Sequence, residues 1–310
     1  MGRCATLAWT VLLALAPHPA RAWGPDGHRI IGEIAWHELT PAAKRAVREL
    51  LPRGRYGSLA EASVWADVEA RGNPRYAWLD PYHYVDTDPH APHVDAASDC
   101  ACVLAGIERF GREIADPTQP HRERVMALRL FAHFVGDVHQ PLHVTGADGH
   151  GGTRTFVFFL DQRETLHQVW DTGLIAHQLG GRGYRSYAKA LADSITDAQR
   201  AKWTAQLDPR VWADESLALA RRHLLRTRGG AQLGPDYFER EMPIVAQRLR
   251  QAGVRLGAWL NRRFGAVVTQ NPSSGEDTSC LFQRTDRRMP AKTPQLIPLE
   301  KPNLFRCGPL

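Results

Sequence analysis

The sequence predicts a mainly α-helical single domain carrying one small β-hairpin. Three observations point to it. Apolar residues recur at helical spacing in most long segments, residues that start and stop helices bracket those segments, and only one short run is β-rich. The 310 residues are 43% hydrophobic and 23% charged, an ordinary globular composition that excludes disorder, collagen and coiled coil for the chain as a whole.

The chain opens with a segment expected to lie outside the fold. Arg3 precedes an apolar run over residues 5–16, too short to span a bilayer, and Ala20-Arg21-Ala22 fits a small-x-small cleavage site. Residues 1–22 are therefore read as a secretory signal peptide, and cleavage would leave Trp23 as the mature terminus. Loss of Arg3 and Arg21 lowers the formal charge from +6 to +4. A basic surface suits an acidic partner such as nucleic acid, and serves solubility equally well. No other segment has the length and apolarity of a membrane span. The expectation is a secreted or periplasmic monomer without stable membrane association.

Thr40-Pro41 supplies an N-cap and an N1 proline, starting a helix over 42–51. Helices follow over 59–70, 102–114 and 122–139. In the last, Val125, Leu128, Phe131, Ala132 and Val135 recur at helical spacing, and Gln140-Pro141 forces its end. Residues 155–160 lie between Gly-Gly and Asp161-Gln162 and form one strand of the hairpin. Strand alternation sends one of Phe158 and Phe159 into the core and leaves the other free to stack. Helices resume over 167–178, 184–195, 209–225 and 236–264, with Pro243 expected to kink or divide the last. The domain thus covers 23–264. Residues 265–310 hold six prolines and two cysteines and read as an irregular extension. With Cys4 removed, Cys100, Cys102, Cys280 and Cys307 remain, an even number that suggests two disulfides in an exported chain. Cys280–Cys307 is a reasonable pair within the tail. A Cys100–Cys102 bond would be cramped, and pairing of one of these with the tail stays open.

Most of the 14 histidines lie between residues 83 and 177. His133 and Asp137 are four apart on one helix, as are His167 and Asp171 on another, close enough to grip one metal ion. Imidazole and carboxylate are ligands that suit zinc. One such pair is commonly a plain ion pair. Two of them, with His143 just beyond Pro141, a carboxylate in Trp65-Ala66-Asp67, and Tyr82-His83-Tyr84-Val85-Asp86 read as an extended aromatic segment, favour a metal centre. The mature start, Trp23-Gly24-Pro25-Asp26-Gly27-His28, would set a free amine near an imidazole.

This set resembles the S1/P1 nucleases, zinc-dependent enzymes related to zinc phospholipase C. The likeness runs from Trp23 to about Asn261, through W-x4-H, W-A-D, H-Y-x-D, the highly specific H-F-x-G-D-x-H-Q-P-L-H from His133 to His143, and L-H-x-V-W-D. It implies a mainly helical zinc nuclease/phospholipase C-like fold holding three zinc ions per chain. The first ion would sit on Asp67, His83, His133 and Asp137. The second would sit on His143, His167 and Asp171. The third would take the amine and carbonyl of Trp23 together with His28, bridged to the first by Asp137. The resemblance assigns Asp86 to the attacking water and Tyr84 to base stacking. It implies single-stranded DNA, RNA and 3′-nucleotides as substrates, with 5′-phosphate products. Three positions depart from the family pattern: Thr153 and Thr165 stand where Asn is usual, and the usual Arg after W-A-D is Ala70, with Arg71 one step later. Arg71 and Thr153 are accordingly the residues expected at the substrate's phosphate and base. His139 is expected to be structural, and His37, His121, His177 and His223 superficial; His90, His93 and His150 lie in loops and receive no role. Two alternatives remain open on sequence alone. A zinc phospholipase C would carry Glu in place of Asp171. A non-enzymatic zinc-binding protein would need neither Asp86, Tyr84 nor open coordination positions.

Overall fold

A computed structural model describes residues 23–94, 100–146 and 151–265. The expectations for the leader, for His150, for Cys280 and Cys307, and for the extension beyond residue 265 fall outside the described residues.

The first helix, α1 (Pro25–Glu38), starts with proline at N1 and Asp26 in its first turn. It is an element that the sequence reading did not anticipate. In α2 (Pro41–Leu50) the Thr40 hydroxyl accepts from the Ala43 N–H at 3.2 Å. The helix expected over 59–70 is broken. α3 (Leu59–Ala62), capped by Ser58, gives way to a π-helical turn at Ala66–Ala70, closed by Arg71 N–H donating to Ala66 at 3.0 Å. A 3₁₀ segment, Pro74–His83, comes next. His83 is therefore the last residue of a helical turn, and extended backbone begins only at Tyr84, which corrects the reading of 82–86 as wholly extended.

α4 (Val103–Ala115) begins after Cys102, which is disulfide-bonded to Cys100. Among the described residues this pair is joined, although the spacing predicts a cramped bond; their Cα atoms lie 5.4 Å apart. α5 (His121–Asp137) ends before a 3₁₀ turn, Pro141–Val144. Strands β1 (Phe156–Phe159) and β2 (Gln162–Thr165) pair antiparallel through Leu160 and Asp161, both with positive φ (47° and 67°), the backbone that a two-residue turn between twisted strands requires. A capping box, Thr165 with Gln168, starts α6 (Leu166–Gln168), and a second π-helical turn, Val169–Gly173, leads into α7 (Leu174–Leu179).

α8 (Tyr184–Asp193) precedes α9 (Asp197–Thr204), which the sequence reading missed although Thr196 and Gln199 form a capping box. α10 (Pro209–Leu219) runs into a third π-helical turn, Ala220–Leu224. β3 (Gln232–Leu233) pairs parallel with β1, so the expected hairpin is a three-stranded sheet in the order β2–β1–β3. α11 (Pro235–Phe264) is continuous through Pro243. That residue is on the exposed face, where a lost hydrogen bond can be made good by water.

α1 is packed against α11 through Ile31, Ile34 and Ala35. The approach is close enough that a Cβ added at Gly253 would lie 2.5 Å from Ile34. α11 also sends Arg248 and Arg255, 1% and 2% exposed, into the interior. Arg255 donates to both Glu215 oxygens at 2.6 and 2.8 Å, and Arg248 donates to Glu215 at 2.8 Å and to the His139 carbonyl at 3.0 Å. Arg255 also reaches His139 Nε2 at 2.9 Å, while His139 Nδ1 faces the Val135 carbonyl. His139 is thus tied on both ring nitrogens, in keeping with a structural role. The network grips the turn between α5 and Pro141, which joins His133 and Asp137 to His143. Among the described residues, no helix is long and apolar enough to cross a membrane.

Candidate metal centre

Four chain segments bring their His and Asp side chains into one buried cluster. α1 carries His28, and the first π-helical turn carries Asp67. The end of the 3₁₀ segment carries His83, and α5 carries His133 and Asp137. His28, His133 and Asp137 are fully buried. The His28 and His133 rings stack with centroids 3.9 Å apart, and a Cβ at Gly136 would come within 2.7 Å of His28 Nδ1, so glycine is required there.

Asp137 faces two ways. Its Oδ1 lies 3.3 Å from His28 Nε2, and its Oδ2 lies 3.0 Å from His83 Nδ1 and 3.3 Å from His133 Nε2. Asp67 Oδ1 is 3.9 Å from His133 Nε2. A second group joins the 3₁₀ turn after α5 to α6 and its π-helical turn. Asp171 lies 3.1 Å from His167 Nε2 and 3.7 Å from His143 Nε2. Three sets of ligand atoms therefore gather within metal-binding reach: His28, His133 and Asp137; Asp67, His83 and His133; His143, His167 and Asp171.

The donor set fits a small tetrahedral cation. Zinc bonds to N and O of about 2.0–2.2 Å give a tetrahedron with edges of roughly 3.3–3.6 Å, and the separations above bracket that value. Backbone carbonyls fix the tautomers. His133 Nδ1 is bonded to Ser63 O, His143 Nδ1 to His83 O and His167 Nδ1 to Gly151 O, each at 2.7 Å. With Nδ1 donating, the Nε2 lone pair is left facing the cluster. Both His28 nitrogens, His143 Nε2 and His167 Nε2 are buried without a hydrogen bond among the described residues, and a buried imidazole lone pair left unpaired is costly unless a cation takes it.

The charges tell the same story. Burial holds His28, His83 and His143 well below the ordinary imidazole value, so they are neutral. Burial, aided by Asp67, pushes Asp137 well up, and burial raises Asp171 to about 6. Burial would also lower His167, but the facing Asp171 carboxylate outweighs it and the net shift is upward. Carboxylates this reluctant to ionise call for positive charge beside them.

The other expected residues are placed by separate contacts. Trp23 is buried, its ring N–H donating to the Gly136 carbonyl at 3.0 Å, and Gly24 N–H donates to the Asp171 carbonyl at 2.7 Å. The start of the described chain is thereby tied to Gly136, next to Asp137, and to Asp171 itself. Tyr84 is 43% exposed and Asp86 is exposed. Their segment is held by Val85 N–H donating to the His143 carbonyl at 2.8 Å and Val103 N–H donating to the Tyr84 carbonyl at 3.0 Å. Arg71 pairs with Asp67 at 3.0 Å. Thr153 is half-buried in the turn before β1. His37, His121 and His177 are exposed, as expected, but His223 is half-buried with Nδ1 3.2 Å from the buried Glu241 carboxylate. Sequence reasoning overlooked Gln140. Its amide donates to Asp171 at 2.5 Å while its carbonyl oxygen accepts from the Leu142 N–H. The available signal was its place between the helix end and Pro141.

Residues 23–265 match the family described as S1/P1 Nuclease. Endonuclease 2 of Arabidopsis thaliana is 33% identical over 83% of this chain and 95% of its own length. Nuclease P1 of Penicillium citrinum is 26% identical over 80% of this chain and its own full length. Nuclease S1 of Aspergillus oryzae is 25% identical over 81% and 93%.

Proposed function

Because the chain belongs to the S1/P1 nuclease family, we propose that it is a secreted or periplasmic zinc-dependent endonuclease that cuts single-stranded DNA and RNA to 5′-phosphate products and also acts on 3′-nucleotides. The observation that carries this reading is the linked set of buried His and Asp groups, with Asp137 placed between two of them. In this reading Asp67, His83, His133 and Asp137 would hold one zinc, His143, His167 and Asp171 a second, and Trp23 with His28 and Asp137 a third. Bound zinc supplies charge neutralisation at the phosphodiester and a lowered pKa for water.

The chain's own groups do the rest. Asp86, anchored one residue past Val85, orients the attacking water and accepts its proton. The exposed Tyr84 ring stacks a base, a contact tolerant of sequence that favours unpaired strands. Arg71 holds Asp67 on one side and offers its remaining N–H groups to a phosphate oxygen. Thr153 contacts the base edge. Its hydroxyl is shorter than the Asn amide usual there, so base preference is expected to differ from the family pattern. Export through the 1–22 leader would free the Trp23 amine for the third site, and the family match beginning at residue 23 supports that boundary. The test is an assay of the mature protein on single-stranded DNA, RNA and phosphatidylcholine, with and without chelator. Chelator-sensitive cleavage of both nucleic acids is expected. Hydrolysis of phosphatidylcholine instead would point to the phospholipase, and inactivity on all three with full metal content to a storage protein.

A further inference from the structure

The outer face of the three-stranded sheet presents groups that the metal centre does not account for. Alternation along β1 buries Val157 and Phe159 and leaves Phe156 and Phe158 42% and 36% exposed. Register sets Thr165 of β2 opposite Phe156, Arg163 opposite Phe158, and Gln232 of β3 beside Phe158, so these residues share one face. The Arg163 guanidinium lies over the Phe156 ring, 4.1 Å from its centroid. Arg154, exposed, precedes Phe156 by two residues, and exposed Arg228 belongs to the turn whose Gly230 N–H donates to the Phe156 carbonyl at 2.8 Å. Glu164 of β2 is on the opposite face, across from Val157. Two partly exposed aromatic rings, one of them covered on one side by Arg163, with further cations at the border, suit a partner that is itself both aromatic and anionic.

We propose that this face is a stacking platform for the bases of a single-stranded nucleic acid, with phosphates passing Arg154, Arg163 and Arg228. The proposal rests on the nuclease reading and extends it to the part of the strand outside the metal cleft. Its location fits that purpose. Phe156 pairs with Thr165, two residues before His167, and Leu166 N–H donates to the Thr155 carbonyl at 2.8 Å. The Phe156 backbone is therefore within about 10 Å of the His167 backbone, a distance spanned by about three stacked nucleotides at ~3.4 Å each.

The test compares metal-loaded wild type with Phe156→Ala/Phe158→Ala, Phe156→Leu/Phe158→Leu and Phe156→Tyr/Phe158→Tyr. The substrates are an oligothymidylate of about 20 nucleotides and a thymidine dinucleotide. Both the Ala and Leu pairs are expected to raise KM on the long substrate about tenfold or more with kcat unchanged, the Tyr pair to restore it, and dinucleotide cleavage to stay within about twofold. Unchanged KM with the Ala pair overturns the platform. So does wild-type KM with the Leu pair, which would mean that apolar cover for another part of the chain is the role. A changed oligomeric state by sedimentation would assign the face to a second copy, and equal losses on the dinucleotide would mean disturbance of the metal site. If wild type cuts neither substrate, the nuclease reading fails separately. Fluorescence anisotropy of labelled oligothymidylate then decides the platform, and equal affinity of wild type and the Ala pair overturns it.

Discussion

Gln140 shows how one neutral amide organises a charged site. It ties Asp171 to the Leu142 backbone, fixing a carboxylate of the buried cluster relative to the segment that carries His143. Partners of this kind commonly contribute 10- to 100-fold to metal affinity, so Gln140→Ala is expected to weaken zinc binding by about that factor, read by competition with a chromophoric chelator. Glu215 makes the second prediction at this scale. Burial would raise its pKa, but Arg255 and Arg248 more than offset that and hold it below the ordinary 4.5. A depressed carboxylate adds stability above 4.5 that is lost as pH falls through the lower folded value. Wild type should therefore exceed Glu215→Gln in urea stability at neutral pH, with the gap closing in acid; a gap independent of pH would assign the effect to packing. The His–Asp pairs at i,i+4 were legible because one helix face encodes them. Gln140, Arg248 and Arg255 were not, because the partners that give them their place, Asp171 and His139, lie 31 to 116 residues away and leave no local pattern.

Between elements, the α1–α11 contact has the least tolerance. Gly253 is opposite Ile34, and a Cβ would meet Ile34 Cβ and Cγ2 at 2.5 Å. Gly253→Ala is expected to destabilise the fold by about 1–3 kcal/mol, measured by urea unfolding, and to lower activity as well, because α1 also carries His28. Loss of stability with wild-type zinc content and rate would show that α1 can shift without moving its ligand. Helices α2, α4, α5, α10 and α11 were readable from caps and periodicity. α1 escaped because the reading treated its first residues as a terminus and metal arm, although Ile30, Ile31, Ile34 and Ala35 mark its buried face. The π-helical turns at Ala66–Ala70 and Val169–Gly173, which carry Asp67 and Asp171, were hidden for a different reason: one extra residue in a turn leaves composition untouched while re-aiming the side chains beyond it. β3 is two residues long and gains its place from β1 rather than from its own sequence.

At the scale of the molecule, distant segments meet at one cluster, and the start of the described chain is among them. Trp23 is fastened to Gly136 and Gly24 to Asp171. If the Trp23 amine is a ligand, a Met-Trp23 form should hold two zinc ions per chain rather than three by elemental analysis, with activity falling in step. Three ions and full rate would remove the terminal chelate from the reading. That segments so far apart would converge was legible only through the family resemblance, since spacing alone could associate no more than neighbours on one helix. The two-faced carboxylate of Asp137 has one more consequence. If Asp137 is shared between adjoining cations, the occupancy of each depends on the other, so stripping should empty those two positions as a couple while the His143, His167 and Asp171 set drains on its own schedule.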